Sequence, residues 1–126
     1  MTGSIYLHIP FCVKKCSYCD FNSFADSSLT LDAYLALLCA EMEQQASIFP
    51  KLSAATLYFG GGTPSLLTPD QVATLIEKVR TDFRLSDNAE VTLEVNPGTA
   101  TPESLQGYWL ACVNRLSIGV QSLHDH

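Results

Sequence analysis

Three closely spaced cysteines, Cys12-x-x-x-Cys16-x-x-Cys19, are the residues of this chain best suited to chemistry. Thiolates are soft ligands that select iron–sulfur clusters or zinc. Most electron-transfer proteins cap all four irons of a [4Fe–4S] cube with cysteine. Three close cysteines hold three corners and leave the fourth iron to an outside ligand, and the amino and carboxylate groups of S-adenosylmethionine suit that position. The same spacing permits a zinc site with His8 as fourth ligand, or plain thiols in an aromatic loop. Spacing favours the open cluster and leaves the other two standing. Phe11, Tyr18, Phe21 and Phe24 flank the triad. They would keep water from a cluster, and they would serve equally as core anchors. Cys39 and Cys112 read as small buried hydrophobes rather than ligands.

Other candidates lie further along. Gly60-Gly61-Gly62-Thr63 follows a strand end. Without Cβ atoms its backbone can approach a ligand closely with N–H groups free, although a tight turn accounts for it as well. It has neither the Lys-Ser/Thr of a phosphate loop nor the spacing of a dinucleotide fingerprint. Glu94 interrupts the apolar run Val91 to Val95. A buried carboxylate needs partners, which a ligand's ammonium or ribose would supply; on an edge strand Glu94 would simply face solvent. Gln121 is either a ribose contact or a turn residue, and Asn96-Pro97-Gly98 is a turn. His8, four residues before Cys12, reads either as a satisfied strand histidine or as a hydrogen-bond donor near the cluster. Tyr6 shares its strand face.

The elements that must position these residues are legible from period and caps. Ser4 to Ile9 reads as a strand ended by Pro10, and residues 11–26 as a loop. Leu31 to Ala46 reads as a helix capped by Thr30, with Leu31, Tyr34, Leu35, Leu38 and Met42 on one face. Ala54 to Phe59 is a second strand. Thr68 caps a helix with Pro69 at N1 and Gln71 closing a capping box; Val72, Leu75, Ile76, Val79 and Phe83 form its buried stripe. Ala89 to Val95 is a strand, Thr101-Pro102 opens a third helix to about Ala111, and Arg115 to Val120 is a fourth strand. Crossovers of this length between short apolar strands favour parallel pairing and the α/β class. Polar His8, Glu94 and Gln121 all fall near strand C-termini, where such folds gather binding groups.

Composition bounds the rest. With 126 residues, 47% hydrophobic, there is enough chain for one modest core. A net charge of −6 and no cationic run beyond Lys14-Lys15 argue against nucleic acid as a partner. The N-terminus resembles neither a signal nor a transit peptide, and no run of about 18 apolar residues could insert in a membrane. Five unevenly spaced cysteines suit a reducing, cytoplasmic location better than a disulfide framework.

Tyr6-x-His8-x-Pro10-Phe11-Cys12-x-x-x-Cys16-x-Tyr18-Cys19 resembles the start of radical S-adenosylmethionine proteins related to oxygen-independent coproporphyrinogen III oxidase. The segments Phe59 to Ser65, Glu94 to Thr99 and Val113 to Ser122 continue the resemblance in order over essentially the whole chain. It implies an α/β fold, a partial (β/α)6 barrel of parallel strands followed by a smaller domain. It implies that Cys12, Cys16 and Cys19 ligate a [4Fe–4S] cluster, and that Tyr6, Gly61, Gly62, Thr63, Glu94 and Gln121 bind S-adenosylmethionine. Reduction by a flavodoxin- or ferredoxin-like donor would then yield methionine and a 5′-deoxyadenosyl radical. The decarboxylating oxidases carry a further cysteine two residues after the third ligand, where this chain has Phe21. Cys19-Asp20-Phe21-Asn22-Ser23 is instead similar to the HemW branch, haem chaperones that pass haem to target proteins.

Two departures from that pattern stand out. The third helix of the family ends in glycine where this chain has Cys112, a residue strained in a left-handed cap. Only four of the six expected strands are present, so residues 1–126 would be the N-terminal portion of the barrel domain. The remaining strands, the accessory domain and the haem-binding segment are expected to belong to a longer parent, and an inactive fragment is the corresponding expectation for this chain alone.

Overall fold

The computed structural model describes residues 1–11 and 30–118. Cys12, Cys16, Cys19 and Gln121, with Tyr18, Phe21 and Phe24, lie outside the described residues. Strand β1 spans Thr2–Ile9, α1 Leu31–Ile48, β2 Ser53–Gly61, α2 Pro69–Phe83, β3 Glu90–Val95, α3 Pro102–Leu110 and β4 Arg115–Ile118, with a 3-10 turn at Pro64–Leu66. The four strands form one sheet in the order β1-β2-β3-β4, every pair parallel.

That order never reverses. Right-handed crossovers therefore all step the same way and set every connecting helix against one face of the sheet. Leu7, Ile9, Leu57, Phe59, Val91, Leu93 and Val95 point to that face and are buried. By the two-residue period of a strand, Tyr6, His8, Tyr58, Gly60, Thr92 and Glu94 point to the other. An apolar outer face under helices and a polar inner face is how a parallel α/β barrel begins.

Local signals account for the helices. Thr68 accepts the Gln71 N–H at 3.1 Å while Gln71 Oε1 accepts the Thr68 N–H at 2.8 Å, the reciprocal box expected from sequence. Thr101 and Ser104 repeat it at the start of α3, and Thr30 caps α1 through Ala33. Each such cap contributes about 1 kcal/mol. Val72, Leu75, Ile76, Val79 and Phe83 are all buried, so α2 is the central helix of the core. In α1 the expected stripe faces inward, yet only Met42 is fully buried. The helix packs on α2 beside the terminal strand β1, and an edge position has half the neighbours of a central one.

One boundary and two cysteines differ from expectation for tertiary reasons. Strand β2 continues through Gly60 and Gly61, because His8 and Ile9 of β1 pair with them; ladder hydrogen bonds override glycine's poor strand propensity. Cys112 is exposed rather than buried, with φ +86°, and Cys39 is only half-buried.

Candidate functional site

The polar ends of β1, β2 and β3 converge. Tyr6 lies opposite Tyr58 and His8 opposite Gly60. The Tyr6 and Tyr58 rings stack with centroids 5.9 Å apart and planes 21° from parallel. The Tyr6 hydroxyl is 3.1 Å from Nδ1 of His8. On β3, Glu94 is half-buried and both its oxygens are occupied: Oε2 accepts from the Tyr58 hydroxyl at 2.8 Å and Oε1 from the Gly61 N–H at 3.1 Å. Strand β3 is interior, between β2 and β4, which removes the edge-strand account of Glu94.

Glycine is required at two places here. A Cβ on Gly60 would fall 2.8 Å from the Tyr6 ring and 3.0 Å from the Tyr58 ring, so the stack exists because residue 60 has no side chain. Gly61 has φ +114°, and a Cβ there would lie 2.9 Å from the His8 ring and the Ile9 carbonyl oxygen. The N–H groups expected to be free are engaged. Gly61 donates to Glu94, Gly62 to the Ile9 carbonyl at 2.8 Å and Thr63 to the Phe11 carbonyl at 2.7 Å. The glycine segment thus clamps the chain that leads into Cys12. Gly61 and Gly62 stay exposed, whereas Thr63 is buried.

Burial raises the Tyr6 phenol above its ordinary range, with further contributions from the Glu94 charge and from Tyr58. Tyr6 is nevertheless 55% exposed, which leaves its ring available to a ligand. An anchored carboxylate suits ribose hydroxyls or a cationic centre, and an exposed aromatic ring suits a heterocycle or a sulfonium. These groups suit a cationic ligand that carries a ribose. Among the described residues no group of three His, Cys, Asp or Glu side chains is placed to hold a metal.

Tyr58 was not singled out by its sequence context. Its signal is the two-residue period: it stands two places before Gly60 on the face that carries Tyr6. Ser65 is a second such residue. Its hydroxyl is 2.5 Å from that of Thr99 and accepts the Asn96 N–H at 3.1 Å, tying the loop after β2 to the loop after β3. Asn96 closes its own turn by accepting from Gly98 at 2.9 Å.

A sequence profile of the Radical SAM superfamily matches residues 6–126. The chain is 46% identical over 98% of its length to a zebrafish (Danio rerio) protein described as radical S-adenosyl methionine domain-containing protein 1, mitochondrial, of which it spans 28%. It is 42% identical over 97% of its length to heme chaperone HemW of Escherichia coli, spanning 32% of that protein. The crystallographic relative described as coproporphyrinogen III oxidase (HemN) from Escherichia coli, a radical SAM enzyme, superposes with a TM-score of 0.84. Identity there is 34%, covering 96% of this chain and 28% of that one.

Proposed function

The chain belongs to the radical SAM superfamily, and we propose that it forms the first part of a HemW-type haem chaperone that delivers haem to target proteins. In this reading Cys12, Cys16 and Cys19 hold a [4Fe–4S] cluster, and Tyr6, Gly61, Gly62, Thr63, Glu94 and Gln121 bind S-adenosylmethionine. The observation that carries it is Glu94, a carboxylate fixed at the mouth of the polar face by Tyr58 and Gly61. Burying a carboxylate halfway and fixing both oxygens costs solvation, and a cationic, hydroxyl-rich ligand offsets that cost. The cluster, when bound and reduced by a flavodoxin- or ferredoxin-like donor, supplies the electron for reductive cleavage of the sulfonium. The chain's own contribution is to seat the ligand. Gly62 and Thr63 tie down the residues before Cys12, Tyr6 offers its ring, and Glu94 takes the ribose or the charged end.

Because the chain spans about a third or less of the relatives it matches, haem binding and transfer are proposed for the whole protein rather than for these residues alone. The reducing cytoplasm is the proposed setting for the free thiols. Coproporphyrinogen oxidation is the second reading, supported by the superposition on the Escherichia coli oxidase; Phe21 in place of a cysteine weighs against it.

Anaerobic reconstitution with iron and sulfide quantitation tests the site. About four irons and four sulfides per chain are expected, falling sharply in Cys12→Ser, Cys16→Ser and Cys19→Ser. Zinc without sulfide would overturn the cluster. Haem titration and coproporphyrinogen turnover on the longer protein then separate chaperone from oxidase.

A further inference from the structure

We propose that Tyr58 is the positioning residue of this site, its hydroxyl fixing the Glu94 carboxylate in the one orientation that receives the ligand; this rests on the reading of Glu94 as a cosubstrate contact. A carboxylate on a strand turns freely about its last torsion unless both oxygens are held. Here both are held from a single neighbouring strand, Oε2 by the Tyr58 hydroxyl at 2.8 Å and Oε1 by the Gly61 N–H at 3.1 Å. The two donors stand three residues apart on β2, which the ladder to β1 and β3 makes rigid. Each bond has the ordinary length for its donor type, so both hold the carboxylate and the hydroxyl is the one a side-chain change can remove.

Tyr58 is itself over-determined. Its ring stacks on Tyr6, and the missing Cβ of Gly60 leaves room for both rings. Tyr58 therefore couples the aromatic surface of Tyr6 to the carboxylate of Glu94 in one rigid unit. Among the described residues the titratable groups on this face are Tyr6 and His8 on β1, Tyr58 on β2 and Glu94 on β3, with Arg115 of β4 turned to Glu90 at the opposite strand end. No cation competes with the Tyr58 hydroxyl for Glu94 among the described residues.

Tyr58→Phe keeps the ring and removes only the donor. Calorimetric titration of the longer protein, its cluster reconstituted anaerobically, with S-adenosylmethionine should show affinity falling about ten-fold, the scale of one hydrogen bond to a charged group. Glu94→Ala should lose at least as much, and adding Tyr58→Phe to Glu94→Ala should cost nothing further, since a donor that acts through Glu94 then has nothing left to orient. The Glu94 carboxylate stretch, identified by its loss in Glu94→Ala, should shift in Tyr58→Phe without ligand present. Unchanged affinity in Tyr58→Phe, or losses that add in the double variant, would overturn the proposal while sparing the site. Absence of any binding by the unaltered, cluster-reconstituted longer protein would overturn the cosubstrate reading, and an unmoved carboxylate band would by itself overturn the role of Tyr58.

Discussion

The hydroxyl of Tyr108 donates to the carbonyl of Ser65 at 3.0 Å, and reaches the Leu67 carbonyl at 2.6 Å as well. One buried phenol on α3 thereby shares its single proton between two backbone acceptors of the loop that follows the glycine segment, the nearer being Leu67. The same Ser65 receives Asn96 through its side chain, so α3, the β2 loop and the β3 loop are held at one point.

Tyr108→Phe should be costly for so small a change. The one buried hydrogen bond that Tyr108 shares between Leu67 and Ser65 would be lost, at about 1–3 kcal/mol. Thermal melting should fall by several degrees; an unchanged transition would show that water replaces the hydroxyl.

Alkaline stability follows from three phenols. Burial raises the Tyr108 phenol, and burial chiefly raises Tyr34 and Tyr6, with Glu41 and Glu94 respectively adding to the shift. Above the ordinary tyrosine value of about 10 the unfolded chain loses protons that the folded chain keeps, so unfolding is favoured. Stability from these groups should be intact below pH of about 10 and fall as pH rises toward the raised folded values. Melting curves from neutral to strongly alkaline pH should show that decline, with a shallower slope in Tyr108→Phe. Equal slopes would mean that Tyr108 does not contribute.

Cys112 has φ +86°, a conformation that suits glycine. Cys112→Gly should relieve about 1 kcal/mol of backbone strain and raise the melting temperature by roughly 4 °C. The gain is trimmed by loss of the Arg80 guanidinium's hydrogen bond to the thiol, which raises the Arg80 pKa. An unchanged or lower melting temperature would show that this contact outweighs the strain.

Gly61→Ala should destabilise more than Gly60→Ala. At residue 61 the added methyl meets the Ile9 backbone oxygen and an unfavourable φ, together about 2 kcal/mol or more. At residue 60 it meets the far ends of two tyrosine rings, and the exposed Tyr6 can swing aside. Gly60→Ala should instead disturb ligand binding at a nearly normal melting temperature. The reverse order of stabilities would contradict this account of the two glycines.

What could be read from sequence was mostly local. Thr68, Pro69 and Gln71 announce α2 because a capping box is complete within four residues. The α2 stripe was legible because a central helix buries every inward position. Contacts that needed the sheet register were not legible. Tyr58 and Glu94 are far apart in the chain and meet only because β2 and β3 pair in parallel. The glycine N–H groups were expected to be free because their acceptors, Ile9, Phe11 and Glu94, lie on other strands or strand ends. The half-exposure of α1 likewise depends on its place at the sheet edge, which its own period cannot report.

The clamp between the glycine segment and the residues before Cys12 sets an order in time. Ile9 and Phe11 leave the ribosome about fifty residues ahead of Gly62 and Thr63, a delay of roughly 3–10 s at ordinary synthesis rates. During that interval the strand leading to the first cysteine has no neighbour to lie against. Its two tethers arrive only when β2 pairs with β1. The chain before Cys12 is therefore made early and fixed late, and on the proposed reading metal would be loaded after the second strand has docked.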